Sequence, residues 1–152
     1  MPIDISACSL CDLTQRIVHK GSYWTLAINS NQSTLGRVYF LLNRHATDVG
    51  ALSIEETEAL WSGLRSARCA LDDMFHPDHY NYMFLMNVDP HVHMHMYPRY
   101  ESPRMFFNVE FVDKYFGGHY DPHSVQSLDA DVETRIIEEL RGRMAGQGAF
   151  EF

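Results

Sequence analysis

At 152 residues the chain has the length of one ordinary domain, enough to bury about 68–70% of its unfolded surface without staples. Its hydrophobic content of 45% and charged content of 21% exclude a disordered or low-complexity chain, and no apolar run approaches the roughly 20 residues of a membrane span. Twelve Lys and Arg against twenty Asp and Glu give a formal charge of −8, the wrong sign for sequence-independent binding to nucleic acid or an anionic membrane. The N-terminal stretch has neither a basic nor an apolar leader region, so the expectation is a soluble, cytoplasmic protein.

In chain order, the first feature is the C-x-x-C of Cys8 and Cys11. In a reducing compartment this pattern is more often metal-binding or redox-active than a disulfide. Cys69, alone in a helical pattern, reads as a small core residue. Tyr23–Ile28 and Gly36–Leu42 read as an antiparallel pair of strands around a polar turn beginning at Asn29. Ser53 with Glu56 fits a capping box, and Leu60, Leu64, Ala67, Leu71 and Met74/Phe75 recur at helical spacing until Pro77. Tyr80–Asn87 reads as a strand apolar on both faces. Beyond Asp89-Pro90, His91–Tyr97 alternates strictly, which places Val92, Met94 and Met96 on one face and His91, His93 and His95 on the other. Residues 98–122 read as irregular and aromatic-rich, and Asp131–Met144 as a second amphipathic helix. The order β-β-α-β-β, then loop and helix, predicts one antiparallel α+β domain over residues 1–152.

Three imidazoles at i, i+2 and i+4 stand roughly 6.5–7 Å apart in successive pairs, and an uncompensated row of them is a poor choice for a core. Two chemistries remain open. A His-x-His pair on a strand can chelate a catalytic zinc with a third ligand from elsewhere. Alternatively, a neutral imidazole on a rigid strand is a competent nucleophile toward phosphorus, with neighbouring rings binding phosphoryl oxygens or handling the leaving group's proton.

The run His91-Val-His-Met-His-Met-Tyr-Pro-Arg99 resembles the signature of the histidine triad (HIT) family of nucleotide hydrolases and transferases. The resemblance spans about residues 8–100 and is closest to a compact bacterial subgroup with an N-terminal C-x-x-C, while residues 101–152 are left unassigned by it. It implies a HIT-like α+β fold in which one long helix packs an antiparallel sheet, here with a C-terminal helix added, and a homodimer. It further implies cleavage at the α-phosphate of a small nucleotide, a dinucleoside polyphosphate or a nucleoside phosphoramidate, through a nucleotidyl intermediate on His93. His95 would touch the phosphate or assist the leaving group, and His91 would lie buried behind the site. Asn29 would bind ribose, and Asn87 a phosphate or the backbone. Arg37, Arg99 and Arg104 are candidates for phosphate contacts.

The same resemblance implies a closed, structural zinc site built from Cys8, Cys11, His45 and His91. The sequence departs from the family at three places: Arg37 follows Gly36 where a histidine is usual, only Val88-Asp89-Pro90 separates Asn87 from the triad, and the tail is unfamiliar. His119, Tyr120 and His123 in that tail read as loop residues, and His76 and His79 carry no expected catalytic role. Two other functions fit the same residues: a nucleotide-binding regulatory module with negligible turnover, and a metallohydrolase with the triad as its zinc ligands.

Overall fold

The structure, a computed structural model, describes residues 8–147 and Phe152. The first seven residues of the N-terminal stretch discussed above lie outside them. A five-stranded antiparallel sheet is built from β1 (Ile17–Lys20), β2 (Trp24–Ile28), β3 (Val38–Leu42), β4 (His79–Phe84) and β5 (His93–Arg99), in the spatial order β1-β2-β3-β5-β4. The triad strand therefore lies inside the sheet, paired with β3 on one side and β4 on the other. Helix α1 (Ile54–Phe75) joins β3 to β4, a hairpin of β6 (Arg104–Phe106) and β7 (Val109–Phe111) follows β5, and α2 (Ala130–Gly146) packs on α1 and β1.

The period of two divides the sheet. Trp24, Leu26, Ile28, Val38, Phe40, Leu42, Met94 and Met96 point into one core together with Leu60, Leu64, Ala67 and Leu71 of α1. Helix α1 begins where the sequence predicts: the Ser53 hydroxyl accepts from the Glu56 N–H at 3.1 Å, and the Glu56 carboxylate accepts from the Ser53 N–H at 2.8 Å. It ends at His76, whose left-handed backbone precedes Pro77. Cys69 is exposed, contrary to its expected core role. Two residues advance a helix by about 200°, so Cys69 faces away from the stripe that buries Ala67.

Three other boundaries differ from expectation. Strand β1 is a short edge strand with an irregular register between Ile17 and His19, too brief to show a period. Strand β4 stops at Phe84, because Met86 takes a positive φ of 39° that no strand accommodates. Strand β5 starts at His93 and runs to Arg99 through Pro98, since its pairing with β3 ends at Val38–Met96 and a proline is tolerated where a strand has lost one neighbour.

Gly36 shapes the approach to the open face. Its φ is +80°, and a Cβ there would meet Leu71 Cδ2 at 2.9 Å and Phe75 Cδ2 at 3.0 Å. Gly36→Ala should therefore cost about 1–3 kcal/mol through left-handed strain and overpacking against α1, read as a lowered urea midpoint at unchanged slope. A midpoint equal to wild type would show that the turn relaxes freely.

Candidate active site and metal cluster

The face of the sheet turned away from α1 carries the polar half of the alternation. The register sets Tyr39 opposite His95 and Leu41 opposite His93, while Met83 and Asn81 of β4 oppose His95 and Tyr97. Asn29 and Arg37 close the β2–β3 end of this face, joined by an Asn29 N–H to Arg37 carbonyl bond of 2.9 Å.

His93 is held by a bond that fixes its tautomer. Its Nδ1 lies 2.7 Å from the carbonyl oxygen of His91; a carbonyl only accepts, so Nδ1 carries the proton and Nε2 carries the lone pair. The Nε2 atoms of His93 and His95 are 3.1 Å apart, so between neutral rings the proton belongs to His95. Nδ1 of His95 then presents a lone pair, and it is buried with no partner among the described residues. Burial, then the neighbouring His93, then the Arg37 cation push the pKa of His95 down to about 3. His93 is 7% exposed, so little of its surface meets water. A cleft of about 300 Å³, lined by Asn81, Tyr82, Met83, Gly118, His119 and Tyr120, opens on the β4 side.

Arg37, the residue before β3, meets the site. Its Nη2 donates to the Tyr97 hydroxyl at 2.7 Å and its Cζ lies 4.3 Å from the Tyr97 ring centre, while its Nε is buried and unpartnered among the described residues. Tyr97 in turn stacks on Tyr120 at 4.5 Å. Arg99 behaves otherwise than expected for a nucleotide contact. It is 2% exposed, and all five of its donors are engaged by Asp113 (2.6 and 3.1 Å), Asn81 (2.7 Å) and the carbonyls of Gly118 (3.0 Å) and Tyr115 (2.7 Å). None remains for a phosphate. Arg104 is likewise bound to the Phe75 and His76 carbonyls at 3.1 and 2.9 Å. Asn29 caps its own turn, accepting from the Asn31 N–H at 2.9 Å. Asn87 is not on a strand; it lies exposed in the loop after β4. The roles of Tyr97, Tyr120 and Asp113 escaped sequence reasoning, although the alternation that aligns the triad extends to Tyr97.

Behind the triad, Cys8, Cys11, His45 and His91 bring one donor atom each to within 4.8 Å of one another. His91 Nδ1 lies 3.4 Å from both sulfurs, and His45 Nδ1 lies 3.3 Å from Cys11 Sγ. A tetrahedral zinc with ordinary bond lengths would space sulfur and nitrogen by about 3.5 Å, so the set fits. The Nε2–H of His91 donates to the Leu42 carbonyl at 2.7 Å, which leaves Nδ1 unprotonated and aimed into the cluster.

A pH dependence follows from His95. The folded ring resists protonation down to about pH 3, whereas the unfolded ring accepts a proton near 6.5. Stability is therefore lost as pH falls below 6.5. Between pH 7 and 5, His95→Gln should lose less stability than wild type, by up to about 2 kcal/mol, in matched denaturant titrations. Equal losses would mean that the ring takes up a proton in the fold.

No family model and no curated protein sequence matches the chain. Solved structures do. A hypothetical histidine triad nucleotide-binding protein from Sulfolobus tokodaii superposes with a TM-score of 0.71 at 12% identity, over 95% of this chain and 99% of that one. A zinc-bound histidine triad family protein from Mycobacterium smegmatis gives 0.66 at 16% identity, over 93% and 96%. A histidine triad protein from Marinobacter aquaeolei gives 0.69 at 12% identity, over 87% and 90%. At these identities the likeness is one of architecture: the chain has the histidine triad fold.

Proposed function

We propose that this protein is a nucleotide hydrolase or nucleotidyl transferase that works at the α-phosphorus of a small nucleotide through a covalent intermediate on His93. The observation that carries the reading is the 2.7 Å bond from His93 Nδ1–H to the His91 carbonyl, which leaves Nε2 as an unprotonated nucleophile on a rigid interior strand. The fold it shares with a histidine triad nucleotide-binding protein supports a nucleotide as the ligand. In the first step Nε2 of His93 bonds to phosphorus and the bond to the leaving group breaks. Water or another acceptor then attacks the phosphorus, and the electron pair returns to Nε2. His95, with its proton on Nε2, donates a hydrogen bond to the transferring phosphoryl group. Asn29 stands at the end of the same face, in reach of a ribose.

Zinc in the Cys8, Cys11, His45 and His91 cluster has a structural role in this reading. Four protein ligands leave no open position for substrate, and only His91 of the triad takes part, which sets aside the reading in which the triad itself holds a catalytic zinc. When bound, the metal fixes the strand start from which His93 projects.

Brief mixing with nucleotides and dinucleoside polyphosphates, followed by native mass spectrometry, should show a nucleotidyl adduct or its product. In His93→Ala both should vanish, with turnover down by about 10³-fold or more. Retained turnover in that variant would end the covalent reading. Metal analysis should give one zinc per chain in wild type and in His95→Ala, and loss of zinc together with thermal stability in Cys8→Ser and His45→Ala. Full zinc in His45→Ala would show that the ligand set is different.

A further inference from the structure

Arg37 lies diagonally across the β3–β5 ladder from His95. Tyr39 is directly opposite His95, and Arg37, two residues earlier, shares its face. The guanidinium is fixed from one side by the hydroxyl and ring of Tyr97. Arg37 Nε and His95 Nδ1 are each buried without a partner among the described residues. A proton on Nδ1 would aim an N–H at no acceptor, beside a permanent positive charge, whereas a lone pair there is attracted by that charge. The other nitrogen has an acceptor waiting, Nε2 of His93 at 3.1 Å.

We propose that Arg37 sets the leaving-group class of the site: it fixes His95 as a neutral Nε2–H donor, so that the bond cleaved is a phosphoanhydride whose leaving group departs as a phosphate anion. The inference rests on the nucleotidyl-His93 reading. As the His93 Nε2–P bond forms, the P–O bond to the leaving phosphate breaks, and its electron pair stays on an oxygen that needs no proton at neutral pH. The His95 proton remains on His95. A P–N bond makes a different demand, because an amine leaves well only if its nitrogen is protonated, and no group around His95 supplies that proton. Neutral His95 would have to surrender its only one, and Arg37 does not act as an acid near neutrality. Burial raises the pKa values of Tyr39 and Tyr97, so both hold their protons. The Nδ1–H of His93 is held by the His91 carbonyl. The depressed pKa of His95 agrees with this arrangement.

Two substrates sharing one nucleoside 5′-phosphoryl group test the proposal on the full chain: a dinucleoside triphosphate and a nucleoside 5′-phosphoramidate of an alkylamine. Proton donation to a leaving group is worth about 10²–10⁴-fold, so wild type should favour the anhydride in kcat/KM by on the order of 100-fold or more. Arg37→His, which places a titratable ring beside His95, should cut that ratio by about tenfold or more, most strongly at acid pH. Arg37→Lys, which keeps the charge, should preserve the ratio. Proton–nitrogen NMR of the imidazoles reads His95 directly: a neutral Nε2–H tautomer in wild type between about pH 5 and 8, and protonation at higher pH in Arg37→Met. Equal or faster cleavage of the phosphoramidate by wild type, an unmoved ratio in Arg37→His, or an Nδ1–H tautomer would each overturn the proposal. Failure of the parent reading looks different: neither substrate is turned over, or His93→Ala cleaves both as wild type does, and either result removes the leaving-group proposal with it.

Discussion

Every polar group of His91 positions something else. Its backbone N–H donates to the Asp89 carbonyl at 2.8 Å and closes the tight turn that ends the β4–β5 loop. Its carbonyl holds the His93 ring at 2.7 Å, its Nε2–H reaches the Leu42 carbonyl at 2.7 Å, and its Nδ1 faces both cysteine sulfurs. The residue is 1% exposed, so each of these groups must be satisfied internally. One buried imidazole thus ties the N-terminal C-x-x-C to the end of β3 and to the tautomer of His93. A metal on Nδ1 would strengthen the same arrangement, because it would remove the alternative in which Nδ1 carries the proton and Nε2 loses its bond to Leu42.

The opposite end of the face is organised by Arg99. A guanidinium at 2% exposure is tolerated only because five acceptors meet it, and removing one member of a buried pair such as Arg99–Asp113 typically costs about 3–5 kcal/mol. Those acceptors come from β4 and from residues 113–118, so the bond network lashes the tail across the sheet. Two further ties, from the Gln32 N–H to the Gln126 carbonyl at 2.8 Å and from Asn31 Nδ2 to the Ser124 carbonyl at 2.9 Å, fix its far end to the β2–β3 turn. The tail brings Tyr120 onto Tyr97, and through Tyr97 it bears on Arg37. A segment that the resemblance leaves unassigned thereby becomes part of the wall beside the triad.

What was legible in the sequence follows from how local each signal is. The alternation over residues 91–97 is a property of consecutive side chains, so it placed the three histidines on one face and the valine and methionines in the core. The capping box at Ser53 and the apolar stripe of α1 are equally local, and the helix stands where they put it. The fate of Arg99 was not legible, because it depends on Asp113, fourteen residues on and across an irregular segment. Cys69 is exposed because its angular position on the helix, not its residue type, decides its burial. Asn87 lies off the strand because the backbone turns to positive φ at Met86, which continuous apolarity does not reveal. The cluster of Cys8, Cys11, His45 and His91 came from resemblance, and the structure brings the four donors together.

The charge of −8 and an anionic ligand are reconciled by where the charges sit. None of the residues that the strand register places on the triad face is acidic. The carboxylate that the tail delivers to this face, Asp113, is bonded twice by Arg99 and is 4% exposed at its side chain. Glu55, Glu56, Asp131 and Glu133 instead occupy the first turns of α1 and α2, where acidic side chains complement the helix dipole. Arg37 is thus left as a cation that no carboxylate neutralises through a salt bridge among the described residues. An acidic surface repels polymeric anions over long range, but screening confines that effect to about 10 Å of solvent. Within a buried site the local balance decides, and here imidazoles stand beside one fixed positive charge, an arrangement compatible with the small phosphorylated ligand proposed above.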